Sequence, residues 1–150
     1  MASQGDNHAV ATGLREVLAD TYKLFGKTQS SHWNVEGPNF VGLHSLFETQ
    51  YRDMFEAIDE LAERLRALGE RAPESIPGLL AESRLPDATN DNDGSALARM
   101  LAEDHRRLAQ SLRRVAETAD AAGDAATHDL LVQRSAEHEK AAWMLRSAAA

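Results

Sequence analysis

Apolar residues recur along this chain at steps of three and four, and they never settle into the every-other alternation of a half-buried strand. The clearest run is Phe47, Tyr51, Met54, Ile58, Leu61, Leu65 and Leu68, the narrow seam expected of a helix packed in a bundle. An earlier helix is predicted from about His8 to about Asn34, with Val10, Leu14, Val17, Thr21, Leu24 and Thr28 on one face. Val35-Glu36-Gly37-Pro38-Asn39 separates the two, because Pro38 biases the residue before it away from helical dihedrals. Gly69 closes the second helix. There follow roughly 25 residues rich in Pro, Gly, Asn and Asp, too long for a turn between adjacent antiparallel helices. That stretch reads as a crossover running the length of a bundle, with a short extra helix near Ile76 to Ser83. Ser95 is the expected N-cap of a third long helix, with Leu97, Leu101, Leu108, Leu112, Val115 and Ala119 inward. Gly123 ends it near Ala122, and a fourth helix is predicted from about Ala125 to Ser147, packing through Leu131, Ala142, Trp143 and Leu145. The fold class is all-α, a four-helix bundle in a single domain over residues 1–150.

The second helix carries more than a seam. His44, Glu48, Asp59 and Glu63, with Phe55 between them, fall within an arc of about 100° beside the apolar stripe. These are metal-ligand residue types, yet His44 and Asp59 lie roughly 22 Å apart along a helix axis and cannot hold one ion together. The spacing has a symmetry that resolves this. His44 and Glu63, and likewise Glu48 and Asp59, are equidistant from the midpoint between Asp53 and Met54. Two copies of the helix packed antiparallel about a two-fold axis there would form two identical sites, each with a His44/Glu48 end facing an Asp59/Glu63 end of the partner. His32 lies just upstream, and Phe55 is placed for a dry contact. Taken singly, each acid reads as a solvated helix flank and His44 as a core histidine; the coordinated spacing of the set favours a metal site.

Composition narrows the chemistry. The chain has no cysteine, so the ligands are nitrogen and oxygen, a set suited to iron, zinc or manganese. The bundle core lacks the Glu-x-x-His pairs of an internal di-iron centre: Glu137 directly precedes His138, and Glu103 stands two before His105. The site is therefore expected outside the bundle core. No signal-peptide pattern and no apolar run of about 18 residues occurs, so a soluble and most simply cytoplasmic protein with no membrane contact is expected. Net charge is −8 with a pI of about 5.2. Residues 1–14 carry only Asp6, and residues 141–150 only Arg146, so neither end is a basic arm for nucleic acid.

The run Ser31-His32-Trp33-Asn34-Val35-Glu36-Gly37-Pro38-Asn39-Phe40, followed by His44, Glu48, Asp59 and Glu63, resembles the signature of the Dps-type miniferritins, the DNA-protection-during-starvation family of ferritin-like proteins. The similarity extends over nearly the whole chain in helix order. It implies a ferritin-like four-helix bundle and a hollow homododecamer of tetrahedral symmetry. The implied activity is oxidation of ferrous iron, preferably with hydrogen peroxide, and storage of ferric mineral inside the cage. By the same resemblance His32, with Asp59 and Glu63 of the partner chain, holds the first of two irons per ferroxidase site, and Glu63 bridges. His44 and Glu48 correspond to the second position, where the family commonly has Asp in place of Glu48. Trp33 corresponds to a tryptophan beside the site proposed to intercept oxidising equivalents. Asp124 and Asp129, ahead of Asp120, fall where the family places a three-fold pore for iron entry. Some members bind DNA through lysine-rich tails that this chain lacks, so DNA binding is expected to be weak or absent. Two rival readings use the same residues: a DNA-compacting architectural protein with a vestigial metal site, and a manganese or zinc buffer without redox turnover.

Overall fold

The computed structural model describes residues 3–150; the first two residues of the expected domain lie outside it. Five helices follow in order, α1 (Gln4–Asn34), α2 (Phe40–Ala67), α3 (Ile76–Ala81), α4 (Gly94–Ala121) and α5 (Ala125–Ala149). Among the described residues the one β-type pairing is an isolated bridge between Glu36 and Asp93. No described helix is long and apolar enough to cross a membrane.

The four long helices form the bundle, and α3 sits within the crossover between α2 and α4, as the apolar pattern predicts. Two ends differ from expectation. Helix α1 begins four residues before His8, because Ser3 accepts from the Asp6 amide while the Asp6 carboxylate accepts from the Ser3 amide, a reciprocal capping box. Helix α4 is capped by Asp93, whose carboxylate accepts from the Ala96 amide at 3.1 Å, not by Ser95, which lies inside the first turn. Gly69 and Gly123 follow the ends of α2 and α4 with positive φ, as read from the sequence.

Core contacts follow the stripes. Phe47, Met54, Leu61 and Leu65 of α2 are buried against Leu14, Leu18 and Leu24 of α1 and Leu101, Leu108 and Leu112 of α4. Tyr51, Ile58 and Leu68 flank this seam half-buried. On α5, Leu131, Ala142 and Leu145 pack inward as expected, but Trp143 is 59% exposed, since it lies round the helix from Leu145 and Ala142. The bundle is built from two close helix pairs, α1 with α2 and α4 with α5, joined chiefly along α1 and α4, whereas α2 and α5 share a sparse edge.

The crossover is held by one polar face of α1. The buried Asp20 carboxylate accepts from the Ser83 hydroxyl at 2.8 Å and the Arg84 amide at 2.9 Å. The Lys23 ammonium donates to the Leu85 carbonyl, and Lys27 donates to that of Pro86 while pairing with buried Asp104 at 2.5 Å. Burial raises the Asp104 pKa against the opposing pull of Lys27. These bonds satisfy backbone groups that a long loop would otherwise leave to solvent.

Helices α1 and α4 approach most tightly at Gly13, where a Cβ would lie 2.5 Å from Cγ1 of Val115. Alanine favours a helix over glycine by about 1 kcal/mol, but overpacking beside a stiff β-branched side chain costs about 1–3 kcal/mol. Gly13→Ala is therefore expected to lower the denaturation midpoint, and adding Val115→Ala to recover part of the loss. An increase in stability from Gly13→Ala alone would contradict this packing.

Candidate metal centre

The turn between α1 and α2 is fixed from outside. The Glu36 amide donates to the Asn92 carbonyl and the Gly94 amide donates back to that of Glu36, tying the turn to the start of α4. Val35 is buried beneath it, beside Gly94 and Leu43. This holds the last turn of α1 against the first turns of α2, and so sets His32 beside His44.

The two imidazoles stack, with centroids 3.8 Å apart and planes 13° from parallel. Each reaches the other's backbone: Nδ1 of His32 donates to the His44 carbonyl at 2.6 Å, and Nδ1 of His44 donates to the His32 carbonyl at 2.7 Å. A carbonyl only accepts, so both rings carry a proton on Nδ1, and when neutral each presents the lone pair of Nε2. This is how a metal-ligating histidine is usually oriented by its surroundings. Phe40 stacks on His44 at 5.2 Å, and the edge of Tyr51 meets His32 at 5.3 Å, closing two further sides. His32 itself is 7% exposed.

Glu48 joins them. Its Oε1 lies 3.7 Å from Nε2 of His32, and its Oε2 lies 3.6 Å from Nε of Arg52. The longer reach of Glu48 therefore brings a carboxylate to the His32 side of the pair. The nitrogen and oxygen donors fit a first-row divalent ion or ferric iron, but three ligands of these types do not converge within one chain: no such group occurs among the described residues. Asp59 and Glu63 stand exposed further along the same helix, with Phe55 64% exposed between the two ends. Trp33 points outward at 65% exposure, so in one chain it is not a packed core aromatic.

The two candidate pore acids differ in their surroundings. Asp124 caps α5, accepting from the Thr127 amide and hydroxyl, and pairs with Arg64 of α2 at 3.1 Å. Burial opposes its ionisation, but the Thr127 bonds and Arg64 outweigh that and hold its pKa below the usual carboxylate value. Asp129 is exposed one turn on, accepting from the Gln133 side chain.

A second titratable cluster, His105, His138 and Arg134, lies buried between α2, α4 and α5. His105 and His138 lack the Glu-x-x-His spacing of a di-iron centre, and Arg134 carries no motif in the sequence. The cluster's signal was the seven-residue step from Leu131 through His138 to Leu145, which puts the histidine on the inward face.

Comparison with known proteins places this geometry in a family. The family described as a ferritin-like domain matches residues 11–150. The chain is 40% identical to a low temperature-induced protein of Nostoc sp., over 89% of this chain and 76% of that one. It is 33% identical to the DNA protection during starvation protein 2 of Bacillus anthracis, over 94% and 97% of the two chains. The crystal structure of antigen TpF1 from Treponema pallidum superposes with a TM-score of 0.94 at 29% identity, covering 99% of this chain and 96% of that one. A relative above 30% identity along nearly its full length, on top of the matched domain, settles the assignment: the chain belongs to the ferritin-like family, as a Dps-type miniferritin.

Proposed function

We propose that this protein is a ferroxidase and iron store, assembled as a closed homododecamer, whose oxidation sites are shared between two chains across a two-fold axis. The observation that carries the proposal is the reciprocal bonding of His32 and His44, which commits both Nδ1 atoms to backbone and leaves each Nε2 lone pair available to a cation, that of His32 3.7 Å from Glu48. Asp59 and Glu63, exposed at symmetric distance along α2, supply the missing carboxylates from the partner, and exposed Phe55 lies where the two helices would meet. His32, Asp59 and Glu63 form the stronger iron position; His44 and Glu48 form the second.

Iron is the substrate. Hard carboxylates favour the ferric over the ferrous state, and few nitrogen ligands leave coordination positions for an oxidant. With two ferrous ions side by side, one hydrogen peroxide takes one electron from each and two protons. Its O–O bond breaks, two waters leave, and both ions become ferric. The paired electrons prevent release of hydroxyl radical, which is the protective chemistry. Ferric product hydrolyses and passes to the cage interior, with Asp124 and Asp129 marking the acidic entry path and Trp33 beside the site as a sink for stray oxidising equivalents. The reading gives the protein the role of limiting oxidative damage in the cytoplasm.

DNA is not a partner in this reading. Four of the five arginines of α4 are partly offset by acids: Arg106 and Arg107 pair with Glu103, Arg113 with Glu139, and Arg114 with Glu16. With a net charge of −8 per chain, the assembled surface repels phosphate.

Two outcomes test the proposal. Glu63→Gln and His32→Ala each remove a metal-binding group while leaving the apolar core intact, and are expected to lose most peroxide-dependent ferroxidase activity, followed as the rise in ferric absorbance after anaerobic ferrous loading. Glu48→Ala should lose less. Full activity in Glu63→Gln, or complete loss from Glu48→Ala alone, would overturn the ranking of the two positions. In gel retardation at near-physiological salt and neutral pH, no shift of duplex DNA is expected, while nicking of that DNA by ferrous iron and peroxide is suppressed. Tight binding that weakens steeply with salt would instead support the architectural reading.

A further inference from the structure

Helices α2 and α5 meet along the least packed edge of the bundle, and polar groups hold that edge. Near one end Arg64 donates to Thr127 and pairs with Asp124. Midway, the Gln50 side chain reaches the Ala141 carbonyl at 3.5 Å, and Arg134 of α5 grips the Asp53 carboxylate of α2 with two bonds, at 3.1 and 2.8 Å. Behind Arg134 lie the two histidines, each 1% exposed, with their Nδ1 atoms 2.8 Å apart.

The protons of this group can be assigned. Arg134 only donates, and its Nη2 lies 3.2 Å from Nε2 of His138, so that nitrogen accepts. The His138 proton therefore sits on Nδ1 and is donated to Nδ1 of His105, leaving the His105 proton on Nε2. Arg134 is thus the donor in both directions, to Asp53 on one side and through His138 to His105 on the other. A metal ion bridging the two Nδ1 atoms would force the His138 proton onto Nε2, against the Arg134 donor, so the arrangement opposes chelation. A cavity of about 160 Å³ lined in part by Thr49, Gln50, Asp53, His105, His138 and Met144 adjoins the pair.

We propose that the His105–His138–Arg134–Asp53 chain is an acid-released latch, which holds the α2–α5 edge closed while both imidazoles are neutral and frees it when either takes up a proton. A proton on Nδ1 of His105 would face the His138 donor, and a proton on Nε2 of His138 would face Arg134. Either uptake breaks the chain and places a second cation beside the guanidinium.

The charged groups acting on the pair are Arg134, which disfavours protonation, and Asp53, which favours it but is already engaged by Arg134. Glu137 and Lys140 of α5 also line the adjoining cavity. The buried ions of α1 are committed elsewhere, Lys27 to Asp104 and Asp20 to the crossover. Burial, reinforced by Arg134, pushes His105 down to about 3; burial, then His105 and Arg134, push His138 well below its ordinary value. The sign follows from linkage: the open edge binds more protons than the closed one, so closure is fully stabilised above the ordinary histidine value of 6.5 and weakens as pH falls toward about 3.

Hydrogen exchange of the intact protein between pH 7.5 and 4.5, corrected for intrinsic rates, tests this directly. Opening of residues 49–54 and 134–145 should be nearly constant above 6.5 and then rise about tenfold per pH unit for each proton taken up as pH falls further, while residues 10–24 of α1 keep their protection. His105→Asn retains an acceptor near the Nδ1 position without titrating and leaves His138 to take up the remaining proton, so its edge should open with a pH slope smaller by one proton than in the wild type. Uniform loss of protection along the chain, or an unchanged pH slope in His105→Asn, would overturn the latch. Should that variant fail to fold, nitrogen shifts of labelled histidine in the wild type decide it. One Nδ1-protonated and one Nε2-protonated buried ring at neutral pH is expected; two identical tautomers, or titration of the pair near 6.5, would refute it.

Discussion

A straight helix cannot bring its own ends together, and that constraint governs this molecule. Helix α2 carries ligand-type side chains near both ends, separated by about four turns of rigid backbone, so no rotamer change unites them in one chain. The fold instead fixes one half of a site with care. The turn between α1 and α2 is tied to the start of α4 by backbone bonds through Glu36, and this sets the two histidines close enough to bond each other's carbonyls. The other half, Asp59 and Glu63, is left exposed. Such a half-site, with Phe55 exposed further along the same helix, is what the proposed two-fold pairing would complete.

Much of this was legible in the sequence because helices report themselves through period. The stripe from Phe47 to Leu65 locates α2, the Val35–Asn39 break locates the turn, and His44, Glu48, Asp59 and Glu63 fall on one arc of α2, the side the proposed site would use. The stacking of His32 on His44 was not legible, since it depends on how the turn closes, and that is set by Asn92 and Gly94, nearly sixty residues away. The cap of α4 was misplaced by two residues because Ser95 and Asp93 are both good capping types, and only the backbone trajectory imposed by the Glu36 contact chooses Asp93. Trp143 is expected from the sequence to pack, but its angular position on α5 leaves it at the surface.

The bundle also divides its labour between apolar and polar edges. The contacts of α1 with α2 and of α4 with α5 are rich in leucine and alanine. The α2–α5 edge is held by Arg64, Asp124, Gln50, Arg134 and Asp53, with two neutral histidines behind them. Polar edges are directional and conditional, because each bond needs a particular protonation state. Helix α2, which bears the candidate ligands, is thus held by apolar packing on one side and by titratable groups on the other.

The central claim, a site completed across a dyad, is tested most directly by mixing chains. His32→Ala and Glu63→Gln variants, each inactive alone, are unfolded, combined in equal amounts and reassembled. In a mixed pair one of the two shared sites keeps both His32 and Glu63, so random pairing should restore about a quarter of wild-type ferroxidase activity. If each site were built within a single chain, every site in the mixture would lack one residue. The mixture would then stay as inactive as its components, and that result would contradict the account.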